Sequence, residues 1–469
     1  MQTPAGNEAP IYRRLCELRG SLSLHTPGHK QGQRGSDLLA NWLPDAVTFD
    51  LTEIADLDSI QRPDGPLLQA ERLAAELYGV KGTFFTTNGA TAGLIASLLS
   101  LTAPGSELLL PRNAHLSILS AIVLGDLLPR FVQPEYRHGY VLGPDEEQLR
   151  LALERHPSVR TVLLVSPSYE GVVPDLAQLI ATAKAAGCSV VVDEAHGAHL
   201  PFHRTLPPSA IEHGADLVVQ SAHKTLSALT GGAWVHRVTD RLTDDAFRSC
   251  LNLVQSTSPS WLVLGSLDLA RLELARSGEC RLSRVLGNAR HLRDEIRGVG
   301  WPIWSAPNDI GYQQDPLKIN LECRSKGFTG PELAAELQLH NIYPEMVHSN
   351  GILLMLGLGD VLPKYGQLLT CLRQLPVRNP QSPELVTAPP LARLAIRPRE
   401  AYFARSRWIE FAGAVGRVAA RPLFLYPPGV PLVYPGELFD ADLIAYAQSI
   451  LVRGGDLVGM KGNLIAVVE

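Results

Sequence analysis

Lys224 follows the apolar run "ADLVVQ" in the segment "SAHKT", residues 221–225, and that placement gives its amine a chemical opening. Beside an apolar sheet the charged form of a lysine is disfavoured, so its pKa falls and the neutral amine can attack an aldehyde. Taken alone the signal is weak, since one lysine after a strand is usually a solvated surface residue. A second opening is "TTNGATAG", residues 86–93. Asn88 and Gly89 turn a strand into a helix whose first amides, at Ala90, Thr91 and Ala92, carry the positive end of the helix dipole and form a seat for phosphate. Gly89 and Gly93 are expected to allow close backbone approach, and the Thr91 hydroxyl adds a donor. The spacing is not that of a GxxxxGK[ST] loop, so a nucleoside triphosphate is not implied.

The third chemical stretch is "VVVDEAHGAHLPFH", residues 190–203. His196, His199 and His203, with Glu194 adjacent, could be read as metal ligands. Gly197 and Pro201 argue against the continuous helix such a cluster would use, and the order is not HExxH. The other reading takes Asp193 as a carboxylate at a strand end, placed to pair with a protonated ring nitrogen, with the small Ala195 leaving room for a flat ring. Phosphate seat, aspartate and lysine together are the parts that hold pyridoxal 5'-phosphate. No metal is expected.

The elements around these residues point to an α/β fold. "LLQAERLAAELYG" has helical spacing, "GTFFTTNG" is β-rich, and "TAGLIASLLSLTA", "SELLLPR", "HLSILSAIVLGDL" and "PRFVQPEY" continue the alternation through "VRTVLLVSP", "CSVVVDEAHG" and "ADLVVQSAHK". Short apolar runs separated by helices predict a mostly parallel sheet covered on both faces. Such sheets bind ligands at the carboxyl ends of their strands, where "TTNGATAG", "PRNAHLS", "SPSYEG", "DEAHGAH" and "SAHKT" lie. The expected organisation is an N-terminal arm (1–45), a large cofactor-binding α/β domain (46–270), a small α+β domain (271–375), a Pro-rich linker (376–390) and a C-terminal unit (391–469).

Composition narrows the classes. With 469 residues, 45% hydrophobic and 19% charged, the chain can bury large cores and is no disordered polymer. A net charge of −5 and the lack of basic clusters interleaved with aromatics argue against nucleic acid. Six scattered cysteines suggest reduced thiols, and no apolar run reaches the length of a membrane helix, so a cytoplasmic protein acting on small molecules is expected.

The succession "HTPGHKQG", "DLTEIADLDSIQRPDGPLLQAE", "TTNGATAG", "PRNAHLS", "VVDEAHGAH", "QSAHKTL", "QSTSPSW" and "PPGVPLVYPGE" resembles the Orn/Lys/Arg decarboxylases, pyridoxal-phosphate enzymes of the aspartate aminotransferase fold (fold type I). The likeness runs in order from about residue 23 to 437 and suits the short bacterial members, which lack an N-terminal wing domain. It implies a seven-stranded-type sheet and decarboxylation of a basic amino acid, with arginine to agmatine favoured over lysine to cadaverine or ornithine to putrescine.

By the same resemblance Lys224 would carry the cofactor as an internal aldimine, Asp193 would pair with the ring nitrogen, Ala195 would pack on the ring and His115 would stack on its other face. Asn88, Gly89, Ala90, Thr91 and Ser221 would hold the phosphate, His196 would line the pocket, and His223 would lie near the reacting carbon, with Lys224 or His223 as proton donor. Ser256 and Thr257 of "QSTSPSW" would reach a neighbouring subunit's phosphate, implying a homodimer with shared active sites, with higher homo-oligomers open. A basic side chain needs an acidic partner, for which Glu437, Asp56 and Asp58 are candidates, each also readable as a solvated surface acid, and His29 is expected near the substrate. The family's "CHKS" is replaced here by Ala114-His115-Leu116-Ser117, which keeps the histidine and loses the lysine. Competing readings are an aminotransferase or other fold-type I lyase with the same cofactor residues, and a non-catalytic, pyridoxal-phosphate-binding regulatory protein.

Overall fold

The computed structural model describes residues 8–32, 37–307, 311–360, 365–376, 378–382, 388–426, 429–452 and 457–469. Parts of the N-terminal arm and of the Pro-rich linker expected at 376–390 lie outside the described residues. The chain divides into two compact units built from interleaved segments: residues 1–100, 193–283 and 357–359 in one, and 101–192, 284–356 and 360–469 in the other.

In the first unit, the helix Pro66–Tyr78 buries Leu67, Ala70, Leu73 and Ala74 on one stripe and ends at Gly79, whose φ of +66° suits glycine. The strands Gly82–Thr86, Leu217–Gln220 and Ala233–Arg237 and the helix Gly89–Leu101 follow the apolar runs seen in the sequence. Gly93 packs this helix on the sheet: a Cβ there would meet Val235 Cγ2 at 2.7 Å and Val219 Cγ1 at 2.9 Å. Its expected service to a ligand is therefore corrected to helix–strand packing.

The second unit contains the parallel strands Glu107–Pro111, Leu128–Val132 and Thr161–Val165. It also holds the helix Glu146–Arg155, which opens with an Asp145–Gln148 capping box. A four-stranded antiparallel sheet has the order Ile303–Trp304, Lys318–Glu322, Gly351–Met355, Met346–His348. Towards the C-terminus, Phe411, Leu432, Val433, Phe439, Leu443 and Ile465 belong to a further apolar core.

The main sheet has seven strands in the order 82–86, 233–237, 217–220, 189–193, 161–165, 107–111, 128–132. This is the mainly parallel α/β architecture expected, with Ala233–Arg237 antiparallel to both of its neighbours. The helix expected from about 268 starts earlier and runs unbroken from Trp261 to Gly298. Among the described residues no helix is long and apolar enough to cross a membrane.

Candidate active site

Three strand ends meet at one edge of the first unit. Because 82–86 and 217–220 are both antiparallel to 233–237, they point the same way. The Glu194 amide donates to Val219 O at 2.9 Å, which sets the end of the Ser189–Asp193 strand beside the end of Leu217–Gln220. The edge thus collects Asn88–Thr91, Asp193–His196 and Ser221–Lys224.

Lys224 lies on the one-turn helix Ala222–Thr225. Its Nζ is 3.1 Å from His196 Nε2. An ammonium can only donate, so the imidazole nitrogen accepts when the lysine is charged. His223 instead turns Nδ1 to the Gly232 carbonyl at 2.9 Å, where that nitrogen must donate. Of the two histidines, His196 is the one brought to the lysine amine.

Asp193 is buried, and one carboxylate oxygen accepts from the Ala195 amide at 3.1 Å, which starts a tight turn. The Gly197 amide closes the turn on Glu194 O at 2.8 Å. Glycine is required there, because a Cβ would come within 2.5 Å of Glu194 Cγ. Ala195, His196 and His199 are buried in or next to this turn.

At the phosphate seat Gly89 has φ +72° and donates its amide to Gly231 O at 2.9 Å. The amides of residues 90–92 then open a helix and lack intrahelical acceptors, as at any helix start. Asn88 and Thr91 are exposed, and Ser221 is buried at the neighbouring strand end. Ser256 and Thr257 are exposed on the turn before the long helix, with the Ser258 amide donating to Ser256 Oγ at 3.1 Å.

A buried polar network that sequence reasoning did not find lies behind this edge. Glu194, fully buried, accepts from Ser209 Oγ at 2.7 Å, Gln220 Nε2 at 2.6 Å and the Ala210 amide at 2.8 Å. Burial pushes its carboxyl up to about 7, with those donors pulling the other way. Gln220 Oε1 accepts from His236 Nε2 at 3.1 Å, and His236 Nδ1 faces the Thr83 hydroxyl at 2.9 Å. Burial drives the His236 pKa down to about 3, so the ring is neutral. Its only signals in the sequence were an acid and a glutamine at two strand ends.

Two acids expected near the substrate are committed elsewhere. Asp58 is buried and accepts from the amides of Asp64 (3.0 Å), Gly65, Leu67 (2.5 Å) and Leu68 (3.3 Å), which places its charge at the start of the Pro66–Tyr78 helix. Glu437, in the second unit, forms a two-pronged ion pair with Arg112 at 2.7 and 2.8 Å and also accepts from the Tyr434 amide. Both partners are buried, so Glu437 cannot meet a substrate cation. His29 Nε2 lies 3.0 Å from Asp50 Oδ2. His115, exposed in the second unit, has Nδ1 accepting from the Ser117 amide at 3.1 Å, so its remaining proton sits on Nε2 in the neutral ring.

Comparison with known proteins shows the family. Residues 9–310 match the Orn/Lys/Arg decarboxylase major domain and residues 384–457 the C-terminal domain of the same family. The chain is 32% identical to a Bacillus subtilis arginine decarboxylase over 99% of its own length and 98% of the relative's. It is 31% identical to one from Bacillus anthracis, covering 95% and 94%. A lysine decarboxylase structure from Pseudomonas aeruginosa superposes with a TM-score of 0.85 at 20% identity, over 99% of this chain and 81% of that one, and shows the fold. The chain belongs to the Orn/Lys/Arg decarboxylase family.

Proposed function

We propose that the protein binds pyridoxal 5'-phosphate at the strand ends of its first unit and decarboxylates arginine, releasing CO2 and agmatine. The observation that carries this reading is the Lys224 amine held 3.1 Å from His196 Nε2, one strand away from the buried Asp193 carboxylate. The donor set suits the cofactor: an amine for its aldehyde, a carboxylate for its ring nitrogen, and a glycine-opened helix start for its phosphate. When bound, pyridoxal phosphate supplies an electron sink for the pair left on Cα when the carboxylate departs.

The chain's own residues do the rest. Asp193 would hold a proton on the ring nitrogen and Ala195 would leave space for the ring, with His115 the family's stacking histidine. Asn88, Gly89, Ala90, Thr91 and Ser221 would hold the phosphate, with Ser256 and Thr257 reaching the site of a second subunit in a homodimer. Lys224 carries a proton to Cα, so one proton is consumed for each CO2 released, and His196 orients that amine. The Bacillus relatives named arginine decarboxylase, alike over nearly the whole chain, favour arginine over lysine.

The test sets arginine, lysine and ornithine side by side and measures CO2 and amine from each. Agmatine is expected as the main product. Lys224→Ala should abolish both turnover and the visible cofactor absorption. A keto-acid product, or a variant that keeps absorption and activity, would overturn the reading.

A further inference from the structure

Glu194 presents a problem of cost. A carboxylate removed wholly from water and met only by neutral donors is expensive to keep ionised. Its location gives the reason. It sits between Asp193 and His196, in a turn so close that Gly197 has no room for a Cβ against it. Its main chain and side chain both grip the neighbouring strand, through Val219 O and Gln220 Nε2. Gln220 ends the strand that leads into Lys224 and passes the link through His236 to Thr83, on the strand that leads into Asn88–Thr91.

We propose that Glu194 is a positioning residue whose carboxylate fastens the 193–197 turn to the Leu217–Gln220 strand and so sets the contact between His196 and Lys224. The inference rests on Lys224 being the cofactor lysine, and it adds a residue that touches neither cofactor nor substrate. Glu194→Gln must set its NH2 donor against either the Gln220 amide nitrogen or the Ala210 amide, and either opposition loosens the turn. In Glu194→Gln/Gln220→Glu the acceptor is returned from the other side, and His236 Nε2 still finds an oxygen.

Two readouts on purified, folded protein test this. The first is the pH midpoint for acetylation of Lys224 by acetic anhydride in cofactor-free protein, followed by mass spectrometry. The second is the pyridoxal phosphate dissociation constant, followed by absorption. His196 accepting from the ammonium favours the charged lysine, so loosening the turn should lower the midpoint by about half a unit or more in Glu194→Gln. Cofactor affinity should fall roughly tenfold, equivalent to about 1.4 kcal/mol. The double variant should restore both. Ser209→Ala removes one donor and should shift both readouts the same way by a smaller amount.

A folded Glu194→Gln with midpoint and affinity unchanged overturns the proposal. If that variant does not fold, an unchanged Ser209→Ala does so. If the wild type fails to bind pyridoxal phosphate while the Lys224 midpoint still moves in the variants, the functional reading falls and the positioning role stands.

Discussion

Two fully buried carboxylates, one in each unit, are neutralised in opposite ways. Glu437 meets the guanidinium of Arg112 through two parallel hydrogen bonds, with Phe131 and Tyr434 flanking the cation at 4.3 and 5.0 Å. Glu194 meets only a hydroxyl, an amide side chain and a backbone amide. A charge paired with a charge behaves as a fastener whose removal is severe. A charge solvated by neutral dipoles keeps a soft protonation state, and burial lifts the Glu194 carboxyl to about 7. The soft carboxylate is the one beside Asp193 and His196, and the fastened one supports the turn that carries His115.

The largest effect is expected from breaking the fastener. Arg112→Met leaves Glu437 buried without its cation and should cost about 3–5 kcal/mol in urea denaturation. Arg112→Met/Glu437→Leu should recover most of that loss, because the penalty belongs to the orphaned charge. A single variant as stable as the wild type would remove the distinction between the two carboxylates.

The soft carboxylate should appear as a pH dependence. The Glu194 pKa in the folded protein, about 7, lies above its ordinary 4.5, so the folded state holds this proton more tightly. Its contribution to stability is therefore full below about 4.5 and is lost as pH rises through about 7, on the order of 3 kcal/mol in all. Glu194→Gln should flatten that slope between pH 5 and 7 in a series of denaturation curves. An identical slope in the variant would mean that another group titrates there.

The strand ends were legible in the sequence because apolar runs and glycine turns encode them locally, and so the edge holding Lys224, Asp193 and Asn88–Thr91 could be located. Side-chain commitments were not legible, because they are settled by partners distant in the chain. Glu437 reads as an accessible acid until Arg112, 325 residues away, closes on it. Glu194 reads as one more acid until Ser209 and Gln220, 15 and 26 residues on, surround it. His223 looked nearest to the amine by sequence, but helical rotation turned it to Gly232 and left the contact to His196. Gly93 fell between the two cases: the need for a glycine was legible, and the atoms requiring it, on Val219 and Val235, were not.

Asp58 shows a third way to hold a buried carboxylate and gives the smallest expected effect. Its oxygens take the amides of Asp64, Gly65, Leu67 and Leu68, and Gly65, the residue before the helix, supplies no capping side chain of its own. The helix dipole helps to stabilise the charge here. Asp58→Ala should cost about 1 kcal/mol, typical of a lost cap, and Asp58→Asn less, since its oxygen still accepts from one pair of amides while its NH2 faces the other pair. Neither should change KM for arginine, because the carboxylate points into the backbone of its own helix start. A large rise in KM for Asp58→Asn with unchanged thermal stability would reverse this and return Asp58 to the substrate.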